Sequence, residues 1–160
     1  MRGESRSMAS ILQEKSKDFA LQIIKVCNEI KLSKRESVLT NQLIRSGTSI
    51  GANIREAMYA HGKADFIAKL QIALKECSES EYWLELLIES GYYEDKRILE
   101  QCVEIKKLLI SSINTAKNNL RKCASKVLQR HSSASFDRKM PNLLSREIIS
   151  SARKRWFSAY

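Results

Sequence analysis

Two histidines, four cysteines and a row of glutamates are the groups from which catalysis or a metal site would have to be built in this chain. Cys27, Cys77, Cys102 and Cys123 lie far apart, form no C-x-x-C pair and have only His61 and His131 to join them, which is not a zinc pattern. Buried free thiols are the expectation for most of them. Glu76, Glu79, Glu81, Glu85 and Glu89 crowd one stretch, but a di-metal bundle pairs such carboxylates with Glu-x-x-His, and no histidine stands three residues after a glutamate here. The chain is therefore expected to lack a phosphate-binding loop, a nucleophile elbow and a metalloprotease helix. Neither an enzyme nor a metal or cofactor protein is expected.

The remaining chemistry is electrostatic. The net charge is +10 over 160 residues. Residues 124–160 carry a large share of it, with Lys126, Arg130, Arg138, Lys139, Arg146, Arg153, Lys154 and Arg155 against Asp137 and Glu147. Such an excess points to a polyanionic partner, nucleic acid first and anionic membrane second, with a solvated surface as the bland alternative. The N-terminal MRGESRSM is too polar for a signal segment, and no window approaches 18 consecutive apolar residues. A soluble, cytoplasmic protein that does not enter a membrane is the expectation.

One proline and five glycines offer too little punctuation for an all-β chain. The apolar residues instead recur at helical spacing. Phe19, Ile23, Val26 and Ile30 mark a first helix over 10–30. After KLSKRES, with Ser37 as the expected N-cap, a second stripe runs Leu39, Leu43, Ser46, Ile50, Asn53 and Ala57. Gly62 breaks the chain before a third helix over 64–90, seamed by Phe66, Leu70, Ala73, Cys77, Ser80, Leu84 and Leu87. Gly91 is expected at its C′ position, and Glu94 and Asp95 in the first turn of a fourth helix. There Ile98, Cys102, Ile105, Leu109, Ser112 and Ala116 form one seam, with Leu99, Val103, Ile110, Ile113 and Leu120 beside it, which predicts burial on a wide face.

Short connections place consecutive helices side by side and antiparallel. The expected fold is all-α, an antiparallel up-down four-helix bundle over 8–123 with a basic C-terminal extension. Residues 124–160 read as a basic linker and a short amphipathic helix, in which Leu144, Ile148, Ala152 and Trp156 follow Pro141.

The second helix contains RSGTSIGANIREA, with two glycines where each costs on the order of 1 kcal/mol relative to alanine. Gly47 and Gly51 are four apart, so they open one face to close approach by another helix, a contact that would also let identical subunits stack side by side. Arg45, Ser49, Asn53 and Glu56 form a polar stripe beside them, for which Glu79 on the third helix is the expected partner of Arg45. Its expected role is register control within the bundle or between subunits, since unmatched buried polar groups cost about 1 to 3 kcal/mol. A solvent-facing ligand site is the alternative.

QLIRSGTSIGANIREA followed by KADFIAKLQIALKECSESEYWLELL resembles the four-helix bundle family of the ribosomal RNA intervening-sequence proteins, which also contains the accessory variability determinant of diversity-generating retroelements. The resemblance rests on Arg45, Ser49, Ile50, Asn53, Ile54 and Glu56 in the second helix and on Asp65, Phe66, Ile72 and Ala73 in the third, and it covers residues 15–122. Where the family often reads Asn-Ile-Ala-Glu-Gly, this chain has Asn53, Ile54, Arg55, Glu56 and Ala57. The resemblance implies a homopentameric, barrel-like assembly and, in the retroelement branch, binding to a reverse transcriptase and to structured RNA.

Up-down topology sorts the charges by end. The first and third connections balance. At the other end Lys15, Lys17, Arg55, Lys63, Lys117, Arg121 and Lys122 outnumber Glu14, Asp18, Glu56 and Asp65, and the tail with Lys126, Arg130, Arg153, Lys154 and Arg155 leaves from there. In a ring of parallel subunits these form a basic rim expected to bind RNA or an RNA/DNA hybrid through phosphates. The expected function is that of a non-catalytic, oligomeric accessory protein of a retroelement reverse transcriptase. The alternative is a homo-oligomeric scaffold or partner-binding bundle without a nucleic-acid role.

Overall fold

A computed structural model of the chain describes residues 8–133, in four helices: α1 Met8–Lys34, α2 Val38–Met58, α3 Lys63–Glu89 and α4 Arg97–Ser133. The chain divides into two compact units, Met1–Ala124 and Ser125–Tyr160, of which the first is the bundle. The amphipathic helix expected after Pro141 lies outside the described residues.

The seams fold inward as their spacing requires. Phe19, Ile23, Val26 and Ile30 of α1, Leu43, Ile50 and Ala57 of α2, Leu70, Cys77, Leu84 and Leu87 of α3, and Ile98, Cys102, Ile105 and Leu109 of α4 share one core. Contacts between successive helices close the square. Ile23 of α1 packs over Gly47 of α2, and Ser46 of α2 receives a hydrogen bond from Ser80 of α3 at 2.9 Å. Cys77 of α3 meets Cys102 of α4, and Lys15 of α1 pairs with Glu104 of α4 at 2.9 Å. Partners advance along one helix as they recede along the next, Ser16 beside Gly51 and Ile23 beside Gly47, so α1 and α2 run antiparallel.

Three local expectations are corrected. Ser37 precedes α2 but its hydroxyl caps nothing; the Glu36 carboxylate accepts the N–H groups of Leu39 at 2.7 Å and Thr40 at 3.0 Å. Two aligned N–H donors favour a carboxylate over a single hydroxyl. Glu94 and Asp95 lie ahead of α4 rather than in its first turn, where Asp95 accepts the N–H of Arg97 at 2.9 Å and pairs with its guanidinium at 2.6 Å. The second α4 seam is only partly buried: Ile113 is in the core, whereas Ile110 and Leu120 are 42% and 40% exposed. A helix against two neighbours hides one broad stripe, and those two positions fall off its edge.

Gly91 meets its expectation. At φ 77° its N–H reaches the Ile88 carbonyl at 3.1 Å while Tyr92 N–H reaches Leu87 at 3.0 Å, the paired bonds of a Schellman stop.

Candidate nucleic-acid interface

The glycine helix answers to α1 of its own chain. A Cβ on Gly47 would stand 3.1 Å from both Ile23 Cγ1 and Cγ2, and one on Gly51 would stand 3.6 Å from the Ser16 carbonyl oxygen. These glycines therefore serve packing inside one bundle, which corrects the expectation that they bring identical subunits together. Residues 47–51 also spell G-x-S-x-G, so the expected absence of that pattern is wrong as a matter of sequence. An elbow needs a sharp strand-to-helix turn to lift its serine. Ser49 instead sits within α2, half-buried, with its carbonyl accepting the Asn53 amide at 2.9 Å.

The expected Arg45–Glu79 pair does not form. Glu79 accepts the indole N–H of Trp83 one turn along its own helix at 3.2 Å. Arg45 is exposed and acts on Glu76, whose carboxyl is held above its usual range by burial and by Glu79, with Arg45 opposing. Glu56 pairs with Lys69. The polar contact that does fix register in the core is Ser46 with Ser80, both buried. Its signal was present in the seams as two serines at apolar positions.

Four helices contribute to the basic end. Leu12 of α1, Met58 of α2, Phe66 of α3 and Ala116 of α4 line one cavity, so these positions lie at one level. Arg55 is exposed in the last turn of α2 and Lys63 opens α3. Lys117, Arg121 and Lys122 follow Ala116 along α4. Lys17 is exposed on α1. Lys15 departs from the group: it is tied to Glu104 in the groove between α1 and α4, with Asp18 beside it. The α4 side chains of Lys126 and Arg130, and residues Arg153, Lys154 and Arg155, lie outside what the structure describes.

Two carboxylates near this end are engaged, while Asp18 is exposed. Glu56 holds Lys69, and Asp65 accepts the backbone N–H of His61 at 3.1 Å. Among the described residues, neither Arg55 nor Lys117 is paired with a carboxylate. Lys63 donates to the Cys123 sulfur at 3.3 Å, a contact that leaves its charge uncompensated. Cys123 is exposed, whereas Cys27, Cys77 and Cys102 are buried; burial pushes the Cys27 thiol up to about 11.

This end also holds a void. The cavity measures about 320 Å³, with Leu12, Met58, Phe66 and Leu70 on one side and Ser111, Ser112, Thr115, Ala116 and Asn119 of α4 on the other. A second hollow of about 470 Å³ shares Met58, Phe66, Ala116 and Asn119 and reaches Ala60, Gly62 and Lys63. Charge patterning along the sequence marks the basic end but not the hollow. Ser112 and Ala116 on the inner seam were its signal, small side chains where larger ones would fill the layer.

The model of the 23S rRNA-intervening sequence proteins matches residues 9–111. The chain belongs to that family. The match spans α1, α2, α3 and the first part of α4, and leaves the basic tail outside it. A crystal structure of a protein of unknown function from the S23 ribosomal protein family of Bacteroides thetaiotaomicron is 47% identical, with a TM-score of 0.66, covering 68% of this chain and 99% of that one. No curated protein matches. Among the described residues of this family member, no cluster of three metal-ligating side chains occurs and no helix is long and apolar enough to cross a membrane.

Proposed function

We propose that this family member is a non-catalytic RNA-binding accessory protein, which works as a homo-oligomer, most simply a pentamer, with the basic ends of its bundles on one rim. The observation that carries the reading is the charge at that end: Glu56 is paired with Lys69, whereas Arg55, Lys63 and Lys117 are paired with no carboxylate among the described residues. Parallel copies sum such local excesses into a field that attracts a polyanion. The family's tie to ribosomal RNA intervening sequences supports RNA as the partner class. Phosphate neutralisation is the contact, so affinity falls steeply with salt and depends little on sequence. We further propose a reverse transcriptase, with RNA or an RNA/DNA hybrid, as the machinery it serves.

A gel shift with structured RNA tests the reading. A shift at about 50 mM salt that disappears towards about 200 mM supports it, and no shift at the lower salt removes it.

One observation favours the scaffold reading. Leu21, Ile24 and Leu32 are exposed on α1, 50%, 39% and 85% respectively, an apolar stripe suited to a protein surface. The same stripe serves the oligomer of the first reading, and the gel shift separates the two.

A further inference from the structure

The two hollows at the basic end form one groove, because they share Met58, Phe66, Ala116 and Asn119. It runs from an apolar floor at Leu12 and Leu70 to a mouth at Gly62 and Lys63. Its inner part is within the size range of small-molecule pockets. The walls differ in chemistry. One carries an aromatic ring and a polarizable thioether, Phe66 and Met58; the other is α4, which faces the groove mainly with apolar surface and brings the small polar side chains of Ser111, Ser112, Thr115 and Asn119 along it.

A flat heteroaromatic ring with donors and acceptors on its edge satisfies both walls. Charge selects further. Lys63 stands at the mouth, Lys117 adjoins Ala116 in sequence, and Arg55 lies one turn before Met58, so an anionic group outside the groove is complemented while a neutral ring occupies it. A base attached to its phosphates has this division of polarity.

We propose that the groove receives one unpaired base of a bound RNA, stacked on Phe66 and held by its edge at Asn119 and the α4 hydroxyls, while the flanking phosphates meet Lys63, Lys117 and Arg55. The inference rests on the RNA-binding reading and narrows it. A paired base cannot reach the floor, so single-stranded loops and bulges are selected over continuous duplex. Stacking accepts any base, so the selection is for an unpaired position rather than for a sequence.

The experiment uses the full chain and two RNA hairpins alike except for one bulged 2-aminopurine, present in one and absent in the other. The bulged hairpin is expected to bind about tenfold more tightly than the paired one, with a change in 2-aminopurine emission on binding. Ala116→Phe, which fills the groove, and Ser112→Leu, which removes a hydroxyl from it, are expected to bring the bulged hairpin down to the affinity of the paired one and to leave the latter unchanged. The emission change is read on the unaltered protein and does not depend on either variant folding. Equal binding of the two hairpins with unchanged emission overturns the pocket and leaves the basic rim standing. A loss of both hairpins alike in folded variants also overturns the pocket. Failure of either hairpin to bind at about 50 mM salt overturns the rim and the pocket together.

Discussion

The two ends of the bundle are built by different rules. At the end formed by the α1–α2 and α3–α4 connections, backbone groups are taken up locally. Glu36 accepts two N–H groups of α2, Gly91 closes α3, and Asp95 accepts the first N–H of α4. Tyr93 packs on the core there, its hydroxyl pushed up by burial and by nearby Asp95 and Glu29. At the opposite end α3 starts from Gly62 without a side-chain cap, the helices leave an open groove, and Arg55 and Lys63 are exposed. One end is closed by side-chain and glycine stops, and the other keeps a groove beside exposed positive side chains.

The largest test of this contrast is core truncation at each end. Leu87 is fully buried one turn before the α3 stop, whereas Phe66 is only half-buried against the cavity. Leu87→Ala should cost about 2 to 5 kcal/mol in urea unfolding. Phe66→Ala removes more atoms yet should cost less than Leu87→Ala, because its ring already borders empty space. A larger cost for Phe66 would mean that the open end is as tightly built as the closed one.

The cap comes next. Glu36→Ala should cost about 0.5 to 2 kcal/mol near neutral pH. Burial pushes the Glu36 carboxyl up, but the N–H bonds from Leu39 and Thr40 and the Thr40 hydroxyl outweigh it and leave the group below its ordinary 4.5. With the folded value below the unfolded one, the contribution is complete above about pH 4.5 and is lost as pH falls through the folded value. Unfolding curves of the native chain and the variant should therefore converge in acid. A gap that persists unchanged at low pH would remove Glu36 from the role.

The smallest effects grade the α1–α2 contact. Gly47→Ala places a methyl 3.1 Å from Ile23, and the crowding should exceed the helix-propensity gain for a net loss of about 1 kcal/mol. Gly51→Ala, nearer the open end, finds ordinary contact at 3.6 Å and should gain up to about 1 kcal/mol. Equal signs at the two positions would erase the gradient.

The helices and their inward residues were legible because one periodicity carries both. Leu70, Ala73, Cys77, Ser80, Leu84 and Leu87 alternate three and four and are all buried. The end of α1 was less legible, since residues 31–34 continue the helix with no inward-facing apolar residue, Leu32 being exposed. Its last turn is followed by Arg35 in the left-handed region at φ 55°, a stop made without glycine. Ser37 stands at the N-cap of α2 as expected, but the capping oxygen comes from Glu36, because both residues offer one and only geometry chooses between them. At the candidate site, Arg55, Lys63 and Lys117 could be assigned to one end from topology alone. Lys15 could not, because its Glu104 partner is 89 residues away. The void escaped for a related reason: periodicity says which side chains point inward, not whether together they fill the space.

Polyanion binding at the open end is the central proposal. Its most direct test is the dependence of RNA affinity on salt for the native chain, for Arg55→Ala with Lys117→Ala, and for Lys34→Ala with Lys96→Ala at the closed end. The open-end pair should flatten the slope of log affinity against log salt by about 2, roughly one unit per lost cation, while the closed-end pair leaves it unchanged. Equal flattening by both pairs, or none from the open-end pair, would contradict the claim.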